Sequence, residues 1–325
     1  MTNNIPNDPV AKTAFAETKS RIVAILENQI KGKPEAIQDV LITLLSRGHL
    51  LIEDVPGTGK TSLAKALSRA IGGDSRRIQF TPDLLPSDIT GVSVFDQSNG
   101  TFKFQPGPIF SNIVLADEIN RASPRTQSAL LQAMEESMVT ADGVDMKLPN
   151  PFMVIATQNP IEHYGTFPLP EAQLDRFQMR ISLGYPDLET EVEILNRVNS
   201  KVSLEEISSP VSVAQTQSAI EFAQNTFHSK YLSQYIATLV SMTRESSDFL
   251  IGASTRAAIA LLRASKAHAA LSARKYVGPA DVQYVFTKVL AHRVTLARGG
   301  SNEEKQALLV DILNRVTPPD RLENE

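Results

Sequence analysis

The chain has 325 residues, 42% of them hydrophobic and 21% charged, with a formal net charge of −4. That length holds one full α/β core plus a smaller second domain, and the balance of charge demands no polyanionic partner, though it leaves room for a local basic patch. Cysteine is absent, which excludes thiol catalysis, zinc knuckles, iron–sulfur clusters and disulfides together and fits a reducing compartment. Residues 1–10 lack the basic-then-apolar pattern of a signal peptide, and no uncharged stretch reaches the roughly 18 residues of a membrane span. The expectation is a soluble, cytoplasmic protein.

In chain order, Ile37, Val40, Leu41, Leu44 and Leu45 mark one face of a first helix. Leu50-Leu51-Ile52 reads as a strand, and Leu63, Ala66, Leu67, Ala70 and Ile71 mark a second helix that Gly72-Gly73 ends. Arg77-Ile78-Gln79-Phe80, Ile113-Val114-Leu115-Ala116, Phe152-Met153-Val154-Ile155-Ala156 and Arg180-Ile181-Ser182-Leu183 read as further strands. Short apolar runs separated by helices predict a mostly parallel, buried sheet. Two stretches instead read as hairpin inserts: 91–104 around Ser98-Asn99-Gly100, and 138–148 around Asp142-Gly143.

The character changes near Tyr185-Pro186-Asp187. Beyond it the strand signal disappears. Leu232, Tyr235, Ile236, Leu239 and Val240 share one helical face, as do Val282, Val285, Phe286, Val289 and Leu290 after Pro279, and Leu308, Leu309, Ile312, Leu313 and Val316 close the series. The expected architecture is an α/β core over 1–186, with inserts near 91–104 and 138–148, and a helical domain over 187–325.

The first chemical motif is Asp54-Val55-Pro56-Gly57-Thr58-Gly59-Lys60-Thr61-Ser62, set between a buried strand and a helix. Glycines let backbone N–H groups converge on phosphate oxygens at the positive end of the new helix. Lys60 supplies a mobile charge for the β- and γ-phosphates, and the Thr61 hydroxyl is a ligand for Mg²⁺. The general pattern opens with glycine where this chain has Asp54; Asp tolerates unusual backbone angles, but its carboxylate must point away from the phosphates. A chance Gly-x-Gly-Lys-Thr string arises in roughly one chain in a hundred of this length, and the flanking strand and helix lower that further.

The second motif is the apolar strand ending in Asp117-Glu118. Adjacent side chains at a strand end point to opposite sides, so Asp117 can hold the Mg²⁺ shell while Glu118 orients and deprotonates the attacking water. Alone, paired acids after a strand are ordinary solubilising ends; after a phosphate loop they are its expected second half. Asn159, beyond Thr157-Gln158, both donates and accepts and so can serve the γ-phosphate and the water together. The rival reading is an ordinary Asn-Pro turn. His49, His163, His228, His268 and His292 show no metal-ligand spacing and read as structural.

These elements arrive in the order of an AAA+ ATPase, and the wording resembles the MoxR family from about residue 32 to 294. The strings that carry this are Gly48-His49-Leu50-Leu51-Ile52-Glu53-Asp54-Val55-Pro56-Gly57, Phe80-Thr81-Pro82-Asp83-Leu84-Leu85-Pro86-Ser87-Asp88-Ile89-Thr90-Gly91, Asp117-Glu118-Ile119-Asn120-Arg121-Ala122, Thr157-Gln158-Asn159-Pro160 and Leu169-Pro170-Glu171-Ala172-Gln173-Leu174-Asp175-Arg176-Phe177. The resemblance implies a P-loop αβα sandwich with a helical lid, acting on ATP with Mg²⁺. It implies that Asn159 is the first sensor, that Arg176 is the arginine finger reaching a neighbour's γ-phosphate, and that Arg256 is the second sensor. The alternative for either arginine is a surface ion pair. It further implies a homo-oligomer, a hexamer, working with von Willebrand factor A domain proteins in chaperone-like remodelling or maturation of partners. Gln79, at the end of the second strand, is a candidate to restrain Glu118. A nucleic-acid-dependent motor or transcription-activator-like remodeller is the competing class. Against it, the chain has no zinc finger, helix-turn-helix signature, basic tail or Gly-Ala-Phe-Thr-Gly-Ala string. A nucleotide-sensing scaffold without turnover is a third class, which intact Lys60, Asp117, Glu118 and Asn159 argue against.

Overall fold

The computed structural model describes residues 8–55, 57–159, 165–197 and 210–319. Pro56 and His163 lie outside the described residues. Two helices, α1 (Pro9–Gln29) and α2 (Pro34–Leu45), precede the first strand, β1 (Leu50–Glu53), which leads into α3 (Lys60–Ala70). Then come β2 (Ser75–Gln79), the short α4 (Pro86–Thr90), a hairpin of β3 (Gly91–Asp96) and β4 (Thr101–Pro106), and β5 (Ile113–Asp117). Helix α5 (Pro124–Glu136) is followed by a second hairpin, β6 (Met138–Ala141) and β7 (Val144–Lys147), then β8 (Met153–Gln158), α6 (Glu171–Leu174) and β9 (Met179–Ile181). The remainder is α7 (Leu188–Arg197), α8 (Val213–Gln224), α9 (Lys230–Glu245), β10 (Phe249–Ile251), α10 (Thr255–Leu271), α11 (Pro279–Leu290), β11 (Thr295–Leu296) and α12 (Asn302–Arg315).

Five strands form one parallel sheet in the order β2-β5-β8-β1-β9. The central strands are continuous apolar runs because both faces are covered. Leu50, Ile52, Ile113, Leu115, Met153 and Ile155 point to one face, into a core shared with α1, α2, α3 and the helices of the second half. Leu51, Val114, Ala116, Val154 and Ala156 point to the other, against Leu130, Leu131 and Met134 of α5. The period of two thus sorts each strand between two helical layers. This is an α/β P-loop sandwich followed by a helical lid.

Both inserts are hairpins. Asp96 pairs with Thr101 at the end of one, and Ala141 with Val144 at the end of the other. Asp142 (φ 52°) and Gly143 (φ 75°) are both left-handed, as a two-residue turn of that hand requires. Ser93 donates its hydroxyl to Asp142, tying one hairpin to the other.

Two features lie outside the sequence expectation. Helix α1 went unassigned because its buried residues, Phe15, Thr18, Ile22, Ile25 and Leu26, form a sparse stripe among alanines and polar residues. It is started by Asp8, which accepts the Val10 N–H at 3.0 Å, and by Pro9 at its first position. It packs on both α3 and α8, joining the sheet-flanking helices to the helical second half of the chain. The lid is helical as expected, and in addition carries a short antiparallel ribbon, β10 with β11. Three and two residues are too few to show a period. The expected faces of α9 and α11 are the buried ones: Leu232, Tyr235, Ile236, Leu239 and Val240, then Val282, Val285, Phe286, Val289 and Leu290.

Candidate functional site

Strand β1 ends at Glu53, and the chain turns through Gly57 (φ 88°) and Gly59 (φ 90°) into α3. A side chain at either glycine would meet nothing within 4 Å; the requirement is conformational, since both sit in the left-handed region. Gly59 caps α3 without a side-chain hydrogen bond, so the cap residue itself puts no side chain on the N–H groups at the positive end of that helix. Lys60 Nζ lies back along the loop, donating to the Val55 carbonyl at 2.8 Å and the Asp54 carbonyl at 3.3 Å. The departure at Asp54 has a structural answer. Its Oδ2 accepts the backbone N–H groups of Leu183 (2.8 Å) and Gly184 (2.9 Å) beyond β9, so the buried carboxylate is turned away from the loop interior. It ties the start of the loop to the neighbouring strand.

Asp117 closes β5, and Glu118 leaves the strand with φ 57° and ψ 50°. The separation of the two carboxylates therefore comes from a left-handed turn as well as from strand alternation; such a backbone costs a non-glycine residue about 1 kcal/mol. Asp117 Oδ1 accepts the Thr157 hydroxyl at 2.6 Å, while Oδ2 accepts Arg77 Nη2 at 2.6 Å and Nε at 3.1 Å. Glu118 donates its backbone N–H to Thr157 Oγ1 at 2.9 Å. Its own Oε2 accepts Gln79 Nε2 at 2.8 Å and faces Arg121 Nε at 3.3 Å.

Lys60, Thr61, Ser62, Asp117, Glu118 and Asn159 line a single cleft of about 290 Å³, together with Gly57, Thr58 and Gly59. It opens at the carboxyl ends of β1, β5 and β8, the place where open α/β sheets take ligands. A hydroxyl and a carboxylate, Thr61 and Asp117, offer the hard oxygen donors that suit Mg²⁺. The donor set and the hollow above the two glycines fit a magnesium-bound polyphosphate.

Arg176 and Arg256 are elsewhere. They line a second cleft, of about 490 Å³, with Arg47, His49, Glu135, Asn150 and Arg263. This cleft sits at the amino ends of β1, β8 and β9, and β1 is four residues long, so about 13 Å of strand separates it from the phosphate loop. Within it Arg176 Nη2 lies 3.2 Å from Glu135 Oε2, and Arg256 pairs with Oε1 of the same carboxylate. The hydrogen bond from Arg256, followed by the charges of both arginines, holds the Glu135 carboxyl below its ordinary range. Neither arginine is brought to the phosphate loop of its own chain.

Two side chains of the first cleft escaped the sequence reading. Arg77 stands two positions before Gln79 on the edge strand β2, hence on the same face; that spacing was the available signal. Thr157 is fully legible only in register, because Ala116 pairs with Ala156 and so places Thr157 beside Asp117. The four described histidines have these neighbours. Buried His49 donates from Nε2 to the Met134 carbonyl and accepts the Val154 N–H on Nδ1, both at 3.0 Å. His268 stacks on Tyr284 and pairs with Asp281, His292 bonds the Phe177 carbonyl, and half-buried His228 lies near Lys266.

Known proteins share this sequence pattern and fold. Residues 49–179 match the ATPase family associated with various cellular activities (AAA), and residues 241–312 match the AAA lid domain. The chain is 46% identical to the uncharacterized protein YeaC of Bacillus subtilis, over 89% of this chain and 91% of that one. It is 38% identical to the chaperone MoxR1 of Mycobacterium tuberculosis (96% and 84%) and 32% identical to the protein MoxR of Paracoccus denitrificans (84% and 87%). The crystal structure of a candidate ATPase from Cytophaga hutchinsonii superposes with a TM-score of 0.87 at 38% identity, covering 96% of this chain and 98% of that one.

Proposed function

This chain belongs to the MoxR family of AAA+ ATPases and is an ATP-hydrolysing enzyme, and from that premise we propose that it turns over ATP only at the junction between two copies of itself, in a ring that remodels partner proteins. The observation that carries this reading is the division of the charged machinery between opposite ends of one sheet. The phosphate loop and carboxylates lie at the carboxyl ends, and the two arginines lie at the amino ends. A single chain has half a site at each end; a neighbour completes it.

In this reading the backbone of residues 57–59 and the first turn of α3 hold the phosphates, and Lys60 leaves the Val55 carbonyl to meet them. Thr61 and Asp117 hold Mg²⁺, with Thr157 orienting Asp117. Bound there, Mg²⁺ supplies charge neutralisation across the phosphates. Glu118 takes the proton of the attacking water, and Asn159 orients that water against the γ-phosphate. Arg176 and Arg256 of the adjacent copy stabilise the charge on the transferring phosphoryl group, a contribution of about 4–7 kcal/mol for an arginine finger. Residues 1–186 act as core and 187–325 as lid, in a hexamer located in the cytoplasm, with a von Willebrand factor A domain protein as partner. Among the described residues no helix is long and apolar enough to cross a membrane. The linked hairpins expose Val92, Phe95, Phe102 and Val144, an apolar surface suited to partner chains.

The test is Arg176→Ala. The variant binds ATP with unchanged affinity but loses hydrolysis, and wild-type specific activity falls as the protein is diluted below its assembly range, with sizing in the presence and absence of MgATP reporting the ring. Full hydrolysis by Arg176→Ala as a dispersed monomer would refute the reading.

A further inference from the structure

The loop that carries Arg176 is held by one buried cation of the lid. Arg293 follows α11, and its side chain is 3% exposed. A guanidinium has five N–H donors, and here each has an acceptor. Nε donates to Asp175 Oδ1 at 2.7 Å, Nη2 to the carbonyls of Asp175 (3.1 Å) and Phe177 (2.5 Å), and Nη1 to the carbonyls of Gln178 (3.1 Å) and Val289. Four of those five acceptors belong to residues 175–178, on both sides of Arg176. Two more bonds tie the same loop to the lid. His292 Nε2 donates to the Phe177 carbonyl at 2.9 Å, and Gln178 Nε2 donates to the Ala260 carbonyl at 2.7 Å, one turn along α10 from Arg256.

The arginine finger does not hold itself as firmly. Arg176 Nε is shielded from solvent yet has no hydrogen-bond partner among the described residues, and its ion pair to Glu135 reaches a half-exposed carboxylate. Position therefore comes from the backbone of the loop. Burial lowers Arg293 to about 10, with the Asp175 carboxylate opposing that shift, so it stays charged at neutral pH. A buried charge is tolerated only where pairing is this complete, and removing part of it moves what it holds.

We propose that Arg293 is a positioning residue for ATP hydrolysis: it fixes Arg176 against the helix that carries Arg256, so that the two guanidiniums meet a neighbour's phosphates as one rigid pair. This rests on the cross-subunit reading above. Arg293 borders the cleft that holds both arginines, but its donors are taken up within its own chain, so it acts through the loop it holds. A misplacement of about 1 Å at a reacting group costs on the order of 10²-fold in rate.

Subunit mixing tests the proposal. Arg293→Lys keeps the charge and loses the fork. Alone it hydrolyses ATP on the order of 10²-fold more slowly, while its own phosphate loop binds a fluorescent ATP analogue as wild type does. Glu118→Gln alone is inactive. Mixed one to one before assembly, they recover roughly a quarter of the wild-type rate, because one junction in four pairs an intact phosphate loop with an intact arginine pair. A fold defect in Arg293→Lys would give no recovery, and so would a role in its own nucleotide site. Arg176→Ala mixed with Glu118→Gln is the control. If that mixture stays inactive, the cross-subunit reading falls; if it recovers and the Arg293→Lys mixture does not, the positioning role alone is overturned. Asp175→Asn, which leaves Arg293 an acceptor but removes its anionic partner, gives the same pattern of loss and recovery; wild-type activity in Asp175→Asn and Arg293→Lys overturns the proposal outright.

Discussion

Gln79 donates its side-chain amide to Glu118 Oε2 at 2.8 Å, across adjacent parallel strands whose register sets Gln79 opposite Asp117. The contact occupies one oxygen of the carboxylate assigned to the attacking water. Gln79→Ala removes a bond worth about 1 kcal/mol, so basal phosphate release in the absence of partners rises about fivefold. An unchanged or lower basal rate would show that the contact does not restrain Glu118.

Glu118→Gln keeps the size of the side chain and removes the base. Phosphate release falls by roughly 10²–10⁴-fold, the usual range for a general base, while ATP affinity stays within a few-fold. The measurement is single-turnover hydrolysis beside equilibrium binding. Equal turnover in the two proteins would remove Glu118 from the chemistry.

Asp54 separates structure from catalysis. Asp54→Gly restores the general loop pattern but leaves the N–H groups of Leu183 and Gly184 without their acceptor. The expected loss is about 1.5–3 kcal/mol of stability, read as a thermal midpoint several degrees lower, with ATP affinity little changed. A variant that melts with wild type would mean those two bonds contribute nothing.

Acid sensitivity follows from the buried histidines. Burial lowers His49 to about 4 and holds His292 well below its ordinary value. In the unfolded chain each takes up a proton near pH 6.5, whereas the folded chain resists protonation, so unfolding binds protons. Their contribution to stability is complete above about pH 6.5 and is lost as pH falls toward 4, by up to about 1.4 kcal/mol per pH unit for each histidine. Thermal midpoints across that window test it, with His49→Gln expected to flatten the slope. A slope of opposite sign, or one unchanged by His49→Gln, would rule out His49 as a source.

Much of this protein was written locally. Leu50-Leu51-Ile52 before a glycine turn, Gly57 and Gly59 at their positions, and Asp117-Glu118 after an apolar run depend on backbone angles and on periods of two and 3.6, which neighbours in sequence determine. The hairpins were legible for the same reason, through Asp142-Gly143. The helical faces of α9 and α11 were equally readable, because each repeats over several turns.

Only the tertiary structure decided what faces what. Thr157 bridges Asp117 and Glu118 because two strands far apart in sequence share a register, and Arg77 meets Asp117 across another pair. Arg176 and Arg256, 80 positions apart in the chain, converge on Glu135, and Arg293 clamps the loop between them. Charge and hydrogen-bond partners are chosen by distance in space, and a sequence states distance only along the chain. That the phosphate loop and the two arginines lie at opposite ends of one sheet is a property of the folded molecule.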